Sequence, residues 1–286
     1  MLSRLKTKIR YIIKRVLSVD DAYTPRPYEV KIKDRQSLKG KCGIITGATG
    51  AIGSSLALKF ASEGAIVGVG GRSVEKIDET ISFIKNIIPD AQLTPVLIDV
   101  TQDDIIESAI TSFYEEYKQI DYFINNAGGG PRSRKKPLDQ QSIEVIDQIL
   151  SVNLRGAILC SRIINKYMIK AKKGVIINLS SVMGLNGQAE WTEYSAAKSG
   201  ILGLTKSQAL ELGKYGIRVN SVSPGTVFQR KFDREVPLTY TTRNALQRCG
   251  YTDEVAALIS FLISDEAQFI TGQNITIDGG RSIGLK

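Results

Sequence analysis

The chain has 286 residues, 42% hydrophobic and 23% charged, enough for one catalytic α/β domain with a buried core plus an extension. Its net charge of +9 is uneven: residues 1–41 carry twelve Lys and Arg against four acids, leaving 26 against 25 elsewhere, and so near-neutral a body gives little support for a nucleic-acid binder. No apolar run approaches the roughly 20 residues that cross a bilayer, and with no histidine in the chain every Ser-His-Asp device and every His-ligated metal site is excluded.

Residues 1–19 place Leu2, Leu5, Ile9, Ile12, Ile13 and Val16 at helical intervals, with Arg4, Lys6, Lys8, Arg10, Lys14 and Arg15 between them. This pattern predicts a basic amphipathic helix. Its apolar stripe can pack on this protein or an oligomer partner, attach peripherally to an anionic membrane, or belong to a transit peptide. Residues 20–39, with prolines at 25 and 27, read as an irregular linker. From residue 40 to 286 short β-branched runs (GIIT, AIVGVG, LTPVLIDV, DYFINNAG, GVIINLSS, IRVNSVSPG, NITIDGG) alternate with helix-period stretches. Each parallel crossover needs a helical return, so the alternation predicts a single α/β domain of Rossmann type, a doubly wound parallel sheet. Cys42, Cys160 and Cys249 lie in or beside apolar segments and read as buried free thiols of a reducing, cytoplasmic compartment.

Four stretches carry chemistry. TGATGAIG (46–53) follows the first apolar run and opens a helix, where backbone N–H groups and a helix N-terminus can approach a pyrophosphate. The second strand ends GVGGRS, at the place of an adenosine ribose, and offers Arg72 with Ser73 where NAD-selective sites carry an acid. A guanidinium there suits a 2'-phosphate, which favours NADP(H) over NAD(H). Asp99 and Val100 close the third strand near the expected adenine; Asn126, Ala127 and Gly128 close the fourth and line the expected nicotinamide side. Tyr194 and Lys198 are four apart on one helix face, bringing a phenol and an ammonium together. A free Tyr titrates near 10, and a neighbouring cation would lower that value and make proton transfer possible near neutrality. Ser181 closes a strand, and Asn153 lies in an apolar helix where a polar amide needs a reason. Singly these residues have ordinary explanations: a surface pair, a strand-end cap, a satisfied core amide. In this order behind a phosphate-binding turn they point to one site.

On those motifs the chain resembles the short-chain dehydrogenase/reductase family over residues 40–281: TGATGAIG, NNAG (125–128), Asn153, Ser181, Tyr194 with Lys198, SPG (223–225) and ITGQNITIDGG (270–280). The resemblance implies Tyr194 as general acid/base, Ser181 polarising the carbonyl oxygen, and Lys198 lowering the Tyr194 pKa and binding the nicotinamide ribose. It also implies Asn153 anchoring a relay water. The cofactor contacts it implies are Gly47, Thr49, Gly50, Ile52, Arg72, Ser73, Asp99, Val100, Asn126, Ala127, Gly128, Tyr194, Lys198, Pro224, Gly225, Thr226 and Val227. TGATGAIG fits the extended, sugar-nucleotide branch, and Ala51 departs from the compact one. NNAG, SPG and the DGG ending belong to the compact, carbonyl-reducing branch, and only about sixty residues follow SPG, too few for a separate sugar-nucleotide domain.

Substrate choice is expected in the loops after the fourth and sixth strands. These hold Arg132, Arg134, Lys135 and Lys136, and then Arg230, Lys231, Arg234 and Arg243, so either an anionic substrate or a merely solvated charge run explains them. The expectation is an NADP(H)-dependent oxidoreductase acting on a 3-oxoacyl thioester or a sugar-type polyol. A nucleotide-sugar epimerase and a non-catalytic dinucleotide sensor are the alternatives. The resemblance further implies a homotetramer.

Overall fold

The computed structural model describes residues 36–130, 135–229 and 244–283. The helix expected over 1–19, the linker up to residue 35 and the loop cations Arg132, Arg134, Arg230, Lys231, Arg234 and Arg243 lie outside the described residues.

Each of the seven β-branched runs becomes a strand. β1 (Cys42–Ile45), β2 (Ile66–Gly71), β3 (Leu93–Leu97), β4 (Tyr122–Asn125), β5 (Gly174–Leu179) and β6 (Ile217–Pro224) precede a two-residue pair, β7 (Val227–Phe228) with β8 (Gly250–Tyr251), and β9 (Asn274–Ile277) closes the series. The seven long strands form one sheet in the order β3-β2-β1-β4-β5-β6-β9, parallel at every pairing. Helices return the chain between them: α1 (Ala51–Ser62), α2 (Val74–Ile87), α3 (Asp103–Tyr117), α4 (Ile143–Leu150), α5 (Gly156–Ala171), the short α6 (Val182–Asn186), α7 (Thr192–Leu212) and α8 (Thr252–Ile263).

The strand pleat sorts the core into two layers. Ile45, Val67, Val69, Ile124 and Ile177 face Leu56 and Phe60 of α1, Ile77 and Ile84 of α2, and Ile259 and Leu262 of α8. The alternate residues Ile44, Phe123, Ile176 and Val219 face Ile106, Ile110 and Phe113 of α3, Cys160, Ile163 and Met168 of α5, and Leu212 of α7. Strands buried on both faces must be apolar at consecutive positions, which is why these segments read as runs rather than as alternations. Cys42, Cys160 and Cys249 are buried and in no disulfide, and burial pushes the Cys42 and Cys160 thiols up to about 12. No helix among the described residues is long and apolar enough to cross a membrane.

Chain order reverses at β1, which lies between β2 and β4. The crevice at the carboxyl ends of β1 and β4 is therefore the topological switch point, where an open α/β sheet binds its ligand.

Candidate active site

A cleft of about 450 Å³ occupies that crevice; its lining includes Gly47, Gly50 and Gly53 of the turn, Arg72, Asp99, Asn126, Tyr194 and Lys198. The turn is built so that backbone, not side chain, faces the cleft. Gly47 has φ +64°, and a Cβ there would lie 2.9 Å from Ala127 Cα. At Gly53 a Cβ would lie 2.2 Å from the Gly47 oxygen, so α1 can start close under the turn only with hydrogen at that position. Gly50 caps α1 without a side-chain hydrogen bond, and the first-turn N–H groups have no carbonyl one turn earlier to bond. This suits a pyrophosphate.

Thr46 and Asn126 brace the turn from β4. The Thr46 hydroxyl donates to Ile124 O (3.1 Å) and accepts from Asn126 N and Ala127 N, both at 3.0 Å. Asn126 Nδ2 donates to Thr46 O (2.9 Å) and Gly47 O (3.0 Å). Asn126 was expected on the nicotinamide side; it lines the cleft, but its amide is spent on holding the glycine turn against β4.

At the adenosine end Arg72 is exposed on the cleft, and Asp99 stands near it. Burial opposes ionisation of Asp99, but hydrogen bonds from the Thr101 N–H (2.9 Å) and hydroxyl (2.7 Å), together with Gln102 and the Arg72 charge, prevail and hold the carboxyl below its ordinary value. Val100 also lines the cleft. Ser73 does not line it. Its hydroxyl caps α2, accepting from Lys76 N at 3.3 Å and donating to Glu75 Oε2 at 2.6 Å, so the local competition for that oxygen is won by the helix start.

Asn153, Ser181, Tyr194 and Lys198 converge from three segments. Asn153 is in a π-helical turn (Ser151–Arg155) between α4 and α5, a register shift frequent at functional sites. Its Oδ1 accepts from Gly129 N (2.8 Å), and its Nδ2 donates to Gly129 O (3.1 Å) and Ile149 O (3.0 Å). The amide thus clamps the backbone beyond β4, which gives the buried Asn its reason; Gly128 must be glycine because a Cβ would lie 2.5 Å from Asn153 Oδ1. Ser181 caps α6, its Oγ accepting from Met183 N at 3.2 Å. Its hydroxyl also hydrogen-bonds the Tyr194 phenol.

Lys198 is fully enclosed, and desolvation lowers its pKa to about 8. Its Nζ donates to Leu179 O at 2.7 Å and stands 5.8 Å from the Tyr194 ring centroid. The expected lowering of the Tyr194 pKa is not what the isolated chain has: burial raises it, and the Ser181 hydrogen bond only works against that rise. The ammonium is directed at a backbone carbonyl rather than at the phenol oxygen.

Sequence reading missed the scaffold that aims α7. Ser180 Oγ donates to Lys198 O (2.7 Å), and Asn178, hydrogen-bonded to Asn125 (2.8 Å) and Thr205 (3.0 Å), ties β4, β5 and α7 together inside the core. The doublets NN at 125–126 and SS at 180–181 contain these residues, but nothing in a doublet says which member faces the core.

A second cavity, about 240 Å³, is lined by neighbours of Ser181 and Tyr194. Met183, held by Ser181, lines it, as does Trp191, whose ring meets that of Tyr194 edge-on at 5.8 Å and 67°. The expected cofactor group Pro224, Gly225, Thr226 and Val227 is not part of the larger cleft. Pro224 ends β6 against Ile277, a Cβ at Gly225 would lie 2.8 Å from the Asp278 Cβ, Val227 pairs with Gly250, and Thr226 lines the second cavity instead. Of the expected loop cations within the described residues, Lys135 lines this cavity and pairs with Glu190 at 2.9 Å, while Lys136 is exposed.

A crevice at the switch point of a parallel sheet, with a glycine turn at one end and a Ser–Tyr–Lys group at the other, defines a dinucleotide-dependent oxidoreductase. A family described as Enoyl-(Acyl carrier protein) reductase matches residues 47–282. FabG, the 3-oxoacyl-(acyl-carrier-protein) reductase of Thermotoga maritima, is 38% identical over 246 residues, covering 85% of this chain and 98% of that protein. The crystal structure of levodione reductase superposes with a TM-score of 0.81 at 30% identity, covering 87% of this chain and 100% of the other. A Brucella melitensis 3-oxoacyl-(acyl-carrier-protein) reductase solved with bound NAD gives 0.79 at 30% identity, covering 88% and 94%. The chain belongs to the short-chain dehydrogenase/reductase family, as its motifs led us to expect. It is an NAD(P)-dependent oxidoreductase.

Proposed function

We propose that the protein uses NADP(H) to interconvert a carbonyl and a secondary alcohol, with Tyr194 as the proton-transferring acid/base. The observation that carries this reading is the hydrogen-bonded Ser181–Tyr194 pair standing beside a buried Lys198 at one end of the glycine-turn cleft. The cleft fits a dinucleotide because a side chain at Gly47, Gly53 or Gly128 would collide with the cleft's own framework. The turn of Gly47, Thr49, Gly50 and Ile52 would hold the pyrophosphate, through N–H groups other than that of Gly50, which donates to Gly47 O at 3.1 Å; Asp99 and Val100 would hold the adenine, Ala127 and Gly128 the nicotinamide side, and Lys198 the nicotinamide ribose. Bound there, the dinucleotide supplies the hydride.

The chain's own residues handle the proton. With its pKa above the ordinary Tyr value, Tyr194 stays protonated at neutral pH and is set to donate to a developing alkoxide. Ser181 donates a second hydrogen bond to the same oxygen, and the nearby Lys198 charge stabilises the phenolate left behind. Asn153 acts one step removed, fixing the Gly128–Gly129 backbone that borders the site.

Arg72 supports NADP(H) over NAD(H): it is exposed on the cleft, and no acid lies within salt-bridge distance of it among the described residues. FabG's name supports a carrier-linked carbonyl substrate; a sugar-type polyol is the other class. Exposed apolar side chains on the two long helices, Ile158 of α5 and Leu210 of α7, and Phe269 ahead of β9 support assembly into a homotetramer through those faces. Cofactor choice is tested by following reduced-nicotinamide absorbance with 3-oxoacyl thioesters and keto-sugars. Arg72→Ala is expected to raise KM for NADPH on the order of 10- to 100-fold while moving KM for NADH less than about twofold, since only the former loses a charge-assisted bond. Equal losses for the two would defeat the assignment.

A further inference from the structure

We propose that the second cavity is a subsite for a free carboxylate on the substrate, with Arg281 as the cation that receives it. The proposal rests on the oxidoreductase reading of Tyr194 and replaces the carrier-linked substrate suggested by FabG with a short keto acid or hydroxy acid.

Arg281 follows the DGG ending on a turn that the chain fixes tightly. Asp278 accepts from Gly280 N (2.9 Å) and Ser282 N (2.6 Å), which folds residues 278–282 back on themselves. The turn carries the guanidinium to the carboxyl end of β6, where Nη1 donates to Thr226 Oγ1 at 3.1 Å. That neutral hydroxyl is its one side-chain partner among the described residues, although the side chain is half-buried and lines the cavity. A partly desolvated guanidinium with most of its donors unspent among the described residues is selective for a planar anion that takes two hydrogen bonds.

The other charges of the cavity are already engaged. Glu190 pairs with Lys135 at 2.9 Å, and both Asp278 oxygens accept backbone N–H groups. Met183 and Trp191, which contact Ser181 and Tyr194, line the same cavity as Arg281. A ligand with its carbonyl at Tyr194, a short carbon chain against Trp191 and a carboxylate at Arg281 matches this sequence of surfaces. The volume of about 240 Å³ falls below the roughly 300–1,000 Å³ of pockets that take drug-sized ligands, which suits a small acid better than a carrier arm.

Trp191 is the single tryptophan of the chain, so its emission reports occupancy of this cavity without turnover. The full chain and its Arg281→Met and Arg281→Lys variants are titrated with 5-oxohexanoate and with its neutral ethyl ester, and reduction of both ketones is then assayed with NADPH and NADH. The wild type is expected to bind the acid more tightly than the ester, on the order of 10- to 100-fold. Arg281→Met should abolish that preference while leaving ester binding unchanged, and Arg281→Lys should keep part of it. Unchanged ester binding also shows that the variant is folded. A preference for the acid that survives Arg281→Met, or a wild type that prefers the ester, overturns the proposal. Arg281-dependent binding without reduction of either ketone upholds the subsite and sinks the reaction assigned to Tyr194; reduction with no dependence on Arg281 sinks the subsite alone.

Discussion

The two cavities, one lined by Tyr194 and the other by its ring neighbour Trp191, are walled by different materials. The larger cleft is walled to a great extent by backbone, with Gly47, Gly50, Gly53, Gly71, Gly128 and Gly129 all on its surface. The smaller is walled by the side chains of Lys135, Met183, Gln188, Glu190, Trp191 and Arg281. A site made of backbone has its shape set by the fold, and at Gly47, Gly53 and Gly128 it tolerates no added atoms. A site made of side chains keeps its fold through substitution and changes its ligand. On the proposed function, cofactor binding and substrate choice are thereby separated, with Trp191 of the smaller cavity set against Tyr194 of the larger.

Tyr194→Phe is the severest test of that separation. Loss of the phenolic oxygen removes the proposed proton donor and leaves the glycine turn untouched, so kcat should fall by about 10²- to 10⁴-fold with dinucleotide affinity preserved. Stopped-flow turnover together with calorimetric cofactor titration checks both halves. Retained turnover, or an equal loss of cofactor affinity, would break the division between the two cavities.

Lys198 lies on the boundary and makes itself felt in stability. Its pKa falls from 10.5 to about 8 on burial, so between about pH 8 and 10.5 the unfolded chain holds a proton that the folded chain has released. Stability rises with pH wherever the unfolded state binds more protons, and this group therefore adds stability as pH climbs through that window, by about 3 kcal/mol in full. Cys42 and Cys160, raised to about 12, act in the opposite sense over the same range. The observable is accordingly a difference: denaturant melts of the wild type and Lys198→Met at pH 7.5 and 10 should show the wild type gaining on the variant at the higher pH. A pH-independent difference would mean that the ammonium is not desolvated in the native chain.

The same division explains what the sequence made legible. The inner strands β1, β2, β4 and β5 were visible because a strand covered on both faces reads as a nearly unbroken apolar run, while the edge strands β3 and β9, only partly buried, were placed by their position in the alternation. Gly47, Gly53 and Gly128 were legible because backbone crowding leaves glycine as the one solution. Tyr194 and Lys198 were legible because four residues make one helical turn. By contrast, the side-chain hydrogen bonds were hidden. That Asn126 braces the turn, that Ser73 caps α2 and that Asn178 anchors α7 each depend on contacts between segments 20 to 80 residues apart, or on a local cap outcompeting a ligand. Arg281 was missed for the same reason: it becomes part of a cavity only when β9 is laid against β6.

Gly53→Ala is the finest test, because two effects of similar size oppose each other. In a helix, exchanging Gly for Ala gains about 1 kcal/mol of intrinsic propensity. Gly203, within α7, has nothing within 4 Å of a built Cβ, so Gly203→Ala should realise that gain and raise Tm by a few degrees. At Gly53 the same methyl would meet the Gly47 oxygen at 2.2 Å, Ala48 Cα at 2.7 Å and Asn126 Nδ2 at 2.9 Å. Two of these atoms are backbone and the third holds the turn, so none can yield without moving the turn itself. Overpacking of this kind costs about 1–3 kcal/mol, which cancels the propensity gain or exceeds it. Whatever the balance in Tm, the displaced turn should weaken dinucleotide binding about tenfold, while binding of the neutral ester in the second cavity is left alone. A Gly53→Ala protein as stabilised as Gly203→Ala, with full cofactor affinity, would show that the larger cleft is shaped by something other than its backbone.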